Sequence, residues 1–519
     1  MKQVKELVIG EDLDGRIAKG LKQAYVLEKA GYGPKAGNAL LEQPYGNPLI
    51  SRDGITNIKN FYLEDPVENA AVRTVFEASS QSNKNVGDGT TATVLLSVLL
   101  YQVAKMQLAA GKNRMEVANR LKEVSYSVIE QLRKLAKPFD TSLLSKIAEI
   151  SSGSENNGTL LADLFNEVGI DGEIIVEAAG EDGIIGDVIN GFWFPKGFTV
   201  LSLANDPSNL VSKHSNVPIL MSERPMKTTA DIAPLLQKIV AQFKDIILVA
   251  EIGNEVADLL MLNHVKGIVN VVPVEPLGFE GKRSIFFDDL ASVVGGRPYR
   301  TSPEDFSIAD LGYADKVLMD GKSTTIILDD NENNDDLLKA RRSRIFELKE
   351  QLDQASDVID VDALRERITR LEGRLGFVRV GAPTELERAE AKLRIDDAIS
   401  AIKSAPAYGV LPGGAVALAR VDAQEFSPAY QKLIQEQADN AGLNPQEILY
   451  LIKRAKDWQG INFKTTTSDS VKLVDMYKEG ILDPCKVIEE IVKNATSIAS
   501  MLITVAVSTV FVDREEKVG

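Results

Sequence analysis

The sequence has few of the side chains that hold zinc or attack acyl groups. It contains one cysteine, Cys485, and two histidines, His214 and His264, in 519 residues. A single cysteine excludes an intrachain disulfide and favours a reducing compartment. The histidines have no cysteine or carboxylate cluster at ligand spacing beside them, which argues against a zinc site, and no GxSxG segment indicates acyl transfer. Any catalysis must therefore rest on carboxylates, glycines, hydroxyls and a metal ion.

The sequence also has fewer positive than negative side chains and lacks long apolar runs. Lys and Arg total 59 against 75 Asp and Glu, which gives a net charge of −16. A negative field of this size repels nucleic acid and anionic membranes, and no local basic patch opposes it. The start of the chain has no apolar core of a signal peptide, and no later stretch comes near ~20 residues without charged or polar breaks. The sequence predicts a cytoplasmic protein with no nucleic-acid and no membrane partner.

Length and hydrophobic periodicity predict several domains. The 519 residues, of which 44% are hydrophobic, suggest about three domains of roughly 150 residues each. Apolar residues recur near a 3.6-residue period through the first ~135 residues, which predicts helices. The segment GNALLEQPYGNPLISRDGITN, between the first two helices, is typical of a β-hairpin.

The middle of the chain has a different character. Short β-rich runs such as IILVAE and IVNVVPVE alternate with helical segments between residues 190 and 330, which predicts an α/β unit. Residues 334–373 form two highly charged helices that we expect to pair antiparallel and lie exposed. An Ala-rich helical pattern returns from Glu385 onward. The prediction is therefore a multidomain α+β and α/β protein in which helix-rich chain ends bracket an α/β insert.

The segment NVGDGTTATVLL, residues 85–96, is a candidate phosphate site. Gly87 and Gly89 lack a Cβ, so backbone N–H groups can approach bulky anionic oxygens, and the helix that follows directs unpaired N–H groups to the same place. Asp88 between them can hold Mg²⁺, and Thr90 and Thr91 offer hydroxyl donors. The alternative is that Asp88 or Thr90 only caps a helix.

Further turns and carboxylates follow in a characteristic order. GYGPKAGN follows the first helix, LPGGAVAL opens a late helix, and carboxylates occur in SRDG, RIDDAIS and GILDP. Together with GDGTT, ISSGSE, LEDP followed by ENA, GFEGKR and GRLGFVRVGAPTELE, these segments have the order and spacing of one family. From about residue 10 to about residue 512, the chain resembles the group I chaperonins, the bacterial and organellar GroEL-type family.

The resemblance implies a GroEL-like division into three domains. A helical equatorial domain that binds ATP would comprise residues 1–134 and 408–519, and a small intermediate hinge domain would comprise residues 135–189 and 376–407. An α/β apical domain for substrate and co-chaperonin binding would be inserted as residues 190–375. This division agrees with the bracketing of an α/β insert by helix-rich ends.

The resemblance also implies an ATPase site for ATP and Mg²⁺, with K⁺ as a further expected cofactor. Asp53 matches the aspartate near the γ-phosphate, Asp88 matches the Mg²⁺ ligand, and Asp397 matches the carboxylate that orients the attacking water. Asp396, beside Asp397, leaves the register open. The other matched nucleotide-binding residues are Gly31, Tyr32, Gly33, Pro34, Arg52, Gly89, Thr90, Thr91, Ala92, Ile150, Ser151, Gly413, Gly414 and Asp483, of which Gly414 and Asp483 match the base and ribose contacts.

Three of these segments depart from the family, and in the first of them GYGP stands where the family usually has Thr-Leu-Gly-Pro. Arg52 stands where the family has lysine, and Ala92 stands where it has a third threonine. Losing one hydroxyl removes about 1 kcal/mol of hydrogen bonding, which would tune nucleotide affinity without abolishing it. The family's adenine-contacting segment does not align with residues 461–469, so no residue is assigned there.

The implied surface for non-native proteins is apolar. Its matched residues are Phe198, Leu203, Leu236, Ala257, Met261 and Leu262. Two apolar helix faces exposed at a rim would bind unfolded chains by nonspecific burial, and a flexible methionine helps such a surface to adapt. The same faces would bind a GroES-type co-chaperonin. The alternative is that these residues are core, because apolar residues at helical spacing usually are.

The implied function is an ATP-dependent chaperone, an ATP hydrolase coupled to protein folding. It would capture non-native client proteins and enclose them in the cavity of a homo-oligomer, two stacked rings of seven. Two other functions stay open. A chaperonin-derived scaffold would bind with weak or no ATP turnover, for which Arg52 and Ala92 leave room. A small-molecule kinase would use GDGTT as its phosphate loop and would form a small oligomer.

Overall fold

A computed structural model describes most of the chain. The described residues are 2–42, 48–170, 172–180, 182–206, 211–278, 282–300, 306–328, 335–354 and 357–514. Residues 43–47 of the predicted hairpin and residues 279–281 of GFEGKR lie outside this description.

The described part of the chain contains both helices and strands, with the following bounds. The helices are α1 (Gly10–Ala30), α2 (Gly54–Lys59), α3 (Pro66–Val86), α4 (Thr90–Ala109), α5 (Arg114–Leu135), α6 (Leu144–Ser152), α7 (Glu155–Val168), α8 (Thr229–Ile239), α9 (Asn254–Val265), α10 (Lys282–Val294), α11 (Asp335–Gln354), α12 (Val358–Glu372), α13 (Glu385–Tyr408), α14 (Val416–Arg420), α15 (Ser427–Asn440), α16 (Pro445–Arg454) and α17 (Cys485–Thr504). The strands are β1 (Lys2–Ile9), β2 (Ala39–Leu41), β3 (Leu49–Ser51), β4 (Ile174–Ala178), β5 (Gly183–Phe194), β6 (Ser212–Met221), β7 (Asp245–Val249), β8 (Asn270–Val274), β9 (Gly312–Met319), β10 (Thr324–Ile327), β11 (Arg374–Gly381), β12 (Val410–Pro412), β13 (Gln459–Ile461), β14 (Leu473–Asp475), β15 (Leu482–Pro484) and β16 (Val507–Arg514). Short 3₁₀ turns span Thr141–Leu143, Leu201–Leu203, Ile308–Asp310 and Gln424–Phe426.

The chain divides into two compact units. The first unit comprises Met1–Asn166, Val176–Ile185 and Val378–Gly519, and the second comprises Glu167–Ile175 and Gly186–Phe377. Both chain ends therefore belong to one unit, and the middle of the chain belongs to the other. The finer division into equatorial, intermediate and apical domains stays a prediction.

Helices from both chain ends build the core of the first unit. The apolar helix α4 packs against α3 and α17, and α17 also packs against α5. The side chains of Val94, Leu95 and Leu96 are fully buried, as expected for a helix that is apolar on all sides. By length and composition alone α4 could cross a membrane, but most of it is buried in this core. The strands β1 and β16 pair antiparallel, from Lys2 opposite Arg514 to Ile9 opposite Val507, which ties the two ends together.

The second unit is an α/β layer. Its strands follow the order β5-β10-β9-β6-β7-β8, and β6, β7 and β8 are mutually parallel. Parallel neighbours require a crossover connection, and α8 and α9 lie in the two connections. The buried runs of β7 and β8 are the β-rich segments that the sequence predicts. The predicted alternation of strands and helices in the middle of the chain is confirmed.

Two local predictions are also confirmed. The strands β2 and β3 pair antiparallel as a hairpin. The charged helices α11 and α12 pack against each other and against α10, and most side chains of α11 are exposed, as predicted. The buried carboxylate of Asp289 on α10 forms ion pairs with Arg344 at 3.0 Å and with Arg367 at 2.7 Å. A buried charge is tolerated when it is paired in this way, so the charged helix pair is anchored.

Candidate active site

A cavity of about 450 Å³ lies within the first unit. This size is in the range of small-molecule sites. Segments that are far apart in the sequence form its wall. The lining residues are Gly31–Pro34, Arg52–Gly54, Asp88–Ala92, Glu149–Ser151, Gly153, Glu390, Leu393, Arg394, Asp397, Gly414, Ala415, Leu418, Gln437, Ile461–Lys464, Glu479–Ile481, Asp483, Pro484, Val487, Ile488 and Ile491.

The GDGTT segment forms a tight connection between α3 and α4. Gly87 and Gly89 have φ angles of 66° and 79°, in the left-handed region that favours glycine. A Cβ on Gly87 would lie 2.2 Å from Ser400 Oγ, and one on Gly89 would lie 2.7 Å from Ile491 Cδ1. Both glycines are therefore required by conformation and by close approach.

The capping alternative for this segment is wrong. The residue before α4 is Gly89, and no side chain caps the helix. The carboxylate of Asp88 instead accepts the Gly89 N–H at 2.5 Å and the Ser151 hydroxyl at 3.4 Å. The first N–H groups of α4 are left without a side-chain cap at the cavity wall, where they can bind an anion.

Asp53 is positioned by the start of the short helix α2. Its carboxylate accepts the Thr56 N–H at 2.9 Å and the Thr56 hydroxyl at 2.6 Å. The hydroxyl of Thr90 lies 3.5 Å from the same carboxylate. These contacts hold Asp53 against the beginning of α4, so the hairpin and the GDGTT segment meet in one wall.

The side chain of Arg52 braces the GYGP segment. Its guanidinium donates hydrogen bonds to the carbonyl oxygens of Gly31 and Gly33. Burial lowers the pKa of Arg52, and the neighbouring guanidinium of Arg394 lowers it further. Glu390 pairs with Arg394 at 2.6 Å and partly offsets this repulsion, and a bound anion would relieve it further.

The carboxyl groups of Asp88 and Asp397 repel each other across the cavity. Burial raises the pKa of Asp397 well above its usual range, and the charges of Asp88, Asp53 and Asp396 raise it further. Burial also raises the pKa of Asp88, and the charge of Asp53 raises it further. A bound cation would favour the ionised forms of Asp88 and Asp397.

Asp397 reaches the cavity from the long helix α13. Glu390, Leu393 and Arg394 line the same wall, and the spacing of these four residues puts them on one helix face. Asp396 does not line the cavity. The geometry therefore favours the register that assigns Asp397.

Asp483 belongs to another part of the wall. The strands β12 and β15 pair with Leu411 opposite Asp483, and Asp483 lies against Gly413, where a Cβ would be 3.0 Å from Asp483 Oδ1. Burial raises the pKa of Asp483 to about 7, and the charge of Asp88 contributes in the same direction. The LPGG and GILDP segments thus form one polar corner.

The structure brings the predicted nucleotide-site residues together. All of them line the cavity except Gly413, whose backbone packs against Asp483. Sequence reasoning missed Gln437 and residues 461–464, which also line it. Glu390 and Arg394 could have been found from their helical spacing to Asp397, but no local pattern marks Gln437. The catalytic and binding roles of these residues stay predictions.

The six residues predicted to contact client proteins do not share one exposed surface in the second unit. Ala257 and Met261 are half-buried, and Leu262 is 50% exposed. The buried ones are Phe198, Leu203 and Leu236. The expectation that these three are exposed is wrong, because they pack into the hydrophobic core under the sheet and α8. For these three residues, the alternative that apolar residues at helical spacing belong to the core is correct.

Exposed apolar side chains do occur at the end of α9. Val265 is 79% exposed, and Ile268 in the following turn is also exposed. With Leu262 they form what is called here the α9 apolar surface. The 3₁₀ turn Leu201–Leu203 packs against α9, and its Leu201 is exposed.

Comparison with known proteins identifies the family. The model of the TCP-1/cpn60 chaperonin family matches residues 27–228 and 221–507, which is most of the chain. The chain therefore belongs to the TCP-1/cpn60 chaperonin family. The prediction of a chaperonin from the order of its motifs is confirmed.

Two solved structures have a similar fold. One is the chaperonin gp146 from the bacteriophage EL 2 (Pseudomonas aeruginosa) in the presence of ATP-BeFx, crystal form II, with 17% identity, 98% of this chain and 99% of that chain covered, and a TM-score of 0.70. Crystal form I of the same chaperonin has 18% identity, the same coverage and a TM-score of 0.61. The similarity shows that this chain has a chaperonin fold.

Proposed function

We propose that this chaperonin binds and hydrolyses ATP in the cavity of the first unit and uses the cycle to capture and release non-native proteins. The observation that carries the proposal is the meeting of Asp53, Asp88 and Asp397 on one cavity. These residues come from three distant parts of the chain. The uncapped start of α4 in the same wall is suited to a phosphate group.

Different cavity residues would have different roles in phosphoryl transfer. The N–H groups at the start of α4 and the hydroxyls of Thr90 and Thr91 would hold phosphate oxygens. Arg52 and Arg394 would neutralise phosphate charge. Asp397, once ionised, would orient the attacking water. Such chemistry depends on positioning and charge neutralisation more than on covalent catalysis.

The donor set fits a magnesium ion that is shared with the substrate. Among the described residues, no group of three or more His, Cys, Asp or Glu side chains could hold a metal ion by itself. Mg²⁺ often takes only one or two carboxylates and completes its shell with phosphate oxygens and water, which fits Asp88. The ion would supply charge neutralisation to the transferred phosphate. K⁺ stays a further proposed cofactor.

The proposed assembly follows from the family. Copies of the chain would form rings, two of seven stacked together, in the cytoplasm, and a GroES-type co-chaperonin would close them. The α9 apolar surface supports client capture, because exposed apolar patches of this kind bind unfolded chains by burial. A negative-stain image of the purified protein tests the ring number and symmetry.

A second candidate is a scaffold that binds ATP without turnover. It is favoured by the departures at Arg52 and Ala92, since the Nε and Nη2 donors of Arg52 bond the carbonyls of Gly31 and Gly33 and not a ligand. Weak turnover would then separate nucleotide binding from client release.

Steady-state ATP hydrolysis by the wild type, Asp397→Ala and Asp396→Ala distinguishes the two candidates. We expect Asp397→Ala to hydrolyse ATP roughly a hundredfold more slowly or worse, the range of positioned acid-base groups, while it still binds ATP. Asp396→Ala is the matched control, because it removes a neighbouring carboxyl that does not line the cavity. A wild type no faster than Asp397→Ala would contradict hydrolysis and leave the scaffold.

A further inference from the structure

Gln437 is a buried polar residue that faces the cavity. It lies near the end of α15, a helix whose neighbouring residues Leu433, Ile434 and Ala438 are fully buried. Gln437 is itself only 6% exposed, and it is the residue through which α15 lines the cavity. Burying an amide is costly unless both its nitrogen and its carbonyl oxygen have partners.

The side chain of Gln437 interacts with Tyr32. Burial raises the pKa of the Tyr32 hydroxyl, and the interaction with Gln437 opposes that rise. A donor stabilises the ionised phenol, so the direction of this effect agrees with the placement of the Gln437 carbonyl oxygen toward Gly414, 3.5 Å from the position of a Cβ there.

The carbonyl oxygen of Gln437 has no partner. No described residue donates a hydrogen bond to Oε1, which is shielded from bulk solvent. It faces Gly414, where a Cβ would lie 3.5 Å from Oε1 and 4.0 Å from Phe463 Cδ2. The missing side chain leaves a space bounded by an acceptor on one side and an aromatic ring on the other.

This space is suited to the edge of a purine. Adenine carries an amino donor at position 6, whereas guanine and hypoxanthine carry an acceptor there. An aromatic ring such as Phe463 packs well against a base. The phosphate-binding groups belong to the GDGTT wall, so the base of a bound nucleotide would lie toward Gly414, Gln437 and Phe463.

We infer that Gln437 is a specificity-determining residue that selects adenine by accepting a hydrogen bond from its 6-amino group at Oε1. The inference rests on the proposed function, because it requires a nucleotide in this cavity. A 6-oxo purine would set its own oxygen against Oε1, which are two acceptors without a proton between them. Sites that must bond a polar substrate group reject the analogue that lacks it strongly.

Binding of ADP and inosine diphosphate to the full-length protein tests the inference by calorimetry. Neither ligand needs to be hydrolysed, and they differ at position 6 of the base. We expect the wild type to bind inosine diphosphate about ten- to a hundredfold more weakly than ADP. Gln437→Leu should reduce this ratio at least about fivefold, mainly through weaker ADP binding.

Gln435→Leu is the matched control. Gln435 is also buried on α15, but it does not line the cavity, so its loss should leave the ratio unchanged. Equal binding of the two ligands by the wild type would overturn the inference and leave the proposed function intact, and this outcome needs no variant to fold. An unchanged ratio in folded Gln437→Leu would also overturn it. Failure of the wild type to bind ADP at all would overturn the proposed function as well.

Discussion

The cavity residues of the first unit could be predicted from the sequence more accurately than the exposed apolar residues of the second unit. In the cavity, the predicted glycines and carboxylates come together, with Gly413 just behind the wall. In the second unit, Phe198, Leu203 and Leu236 match the family by position but are buried. A glycine or a carboxylate at a given place is dictated by local geometry and chemistry. An apolar residue fits a core and an exposed surface equally well.

The largest effect on activity should come from a substitution in the cavity that leaves the second unit unchanged. We expect Asp88→Asn to lower the rate of ATP hydrolysis roughly a hundredfold or more, because the only proposed protein ligand of Mg²⁺ is lost. Binding of a denatured test protein without nucleotide should not change. Asp140→Asn is the control, since Asp140 is an exposed helix-capping residue outside the cavity. Equal hydrolysis by Asp88→Asn and wild type would contradict the assigned role.

The core placement of Leu203 can be tested against its exposed neighbour. Leu203→Ala should lower the free energy of unfolding by about 2–5 kcal/mol, as in other large-to-small core changes. Leu201→Ala should change it by less than about 0.5 kcal/mol, because Leu201 is exposed. Chemical denaturation followed by circular dichroism measures both. Similar values for the two variants would show that Leu203 is not core.

A smaller effect should appear when the α9 apolar surface is made polar. Leu262→Ser combined with Val265→Ser should weaken binding of a denatured test protein about tenfold, because part of the apolar area that clients bury is lost. The rate of ATP hydrolysis should stay at the wild-type value. Leu338 on α11 is similarly exposed, so Leu338→Ser provides the control. Client binding by the double variant at the wild-type level would show that the α9 apolar surface does not bind clients.

The smallest effect concerns the pH dependence of stability in the nucleotide-free protein. Burial raises the pKa of Asp483 to about 7, so between about pH 4 and pH 7 the folded state holds a proton that the unfolded state releases. The free energy of unfolding should therefore rise as the pH falls through this window, by no more than about 1.4 kcal/mol per pH unit from this group. Asp483→Asn should reduce that slope, as thermal or denaturant unfolding at several pH values would measure. An equal slope in both proteins would mean that Asp483 titrates normally.

Much of the fold could be predicted because its elements are periodic. The helices of both chain ends and the strands in the middle repeat apolar residues at periods that their own geometry imposes. The GDGTT turn could be predicted for a related reason, since its φ angles and close contacts admit glycine alone at Gly87 and Gly89.

The remainder depends on contacts between distant segments. Gln437 and Phe463 enter the cavity only because α15 and the segment after β13 pack beside the GYGP and LPGG turns, and no local pattern marks them. Leu201 and Leu203 lie on one 3₁₀ turn, yet they are 53% and 0% exposed. Two leucines in one short turn cannot be told apart by composition or spacing. Only the packing of the turn decides which one enters the core.

A structure of the protein with Mg²⁺ and a non-hydrolysable ATP analogue tests the central claim most directly. We expect phosphate density at the N-terminus of α4, a metal ion beside Asp88, and Asp53 and Asp397 on either side of the terminal phosphate. An analogue bound at another surface, with the carboxylates of Asp53, Asp88 and Asp397 facing an empty cavity, would contradict it.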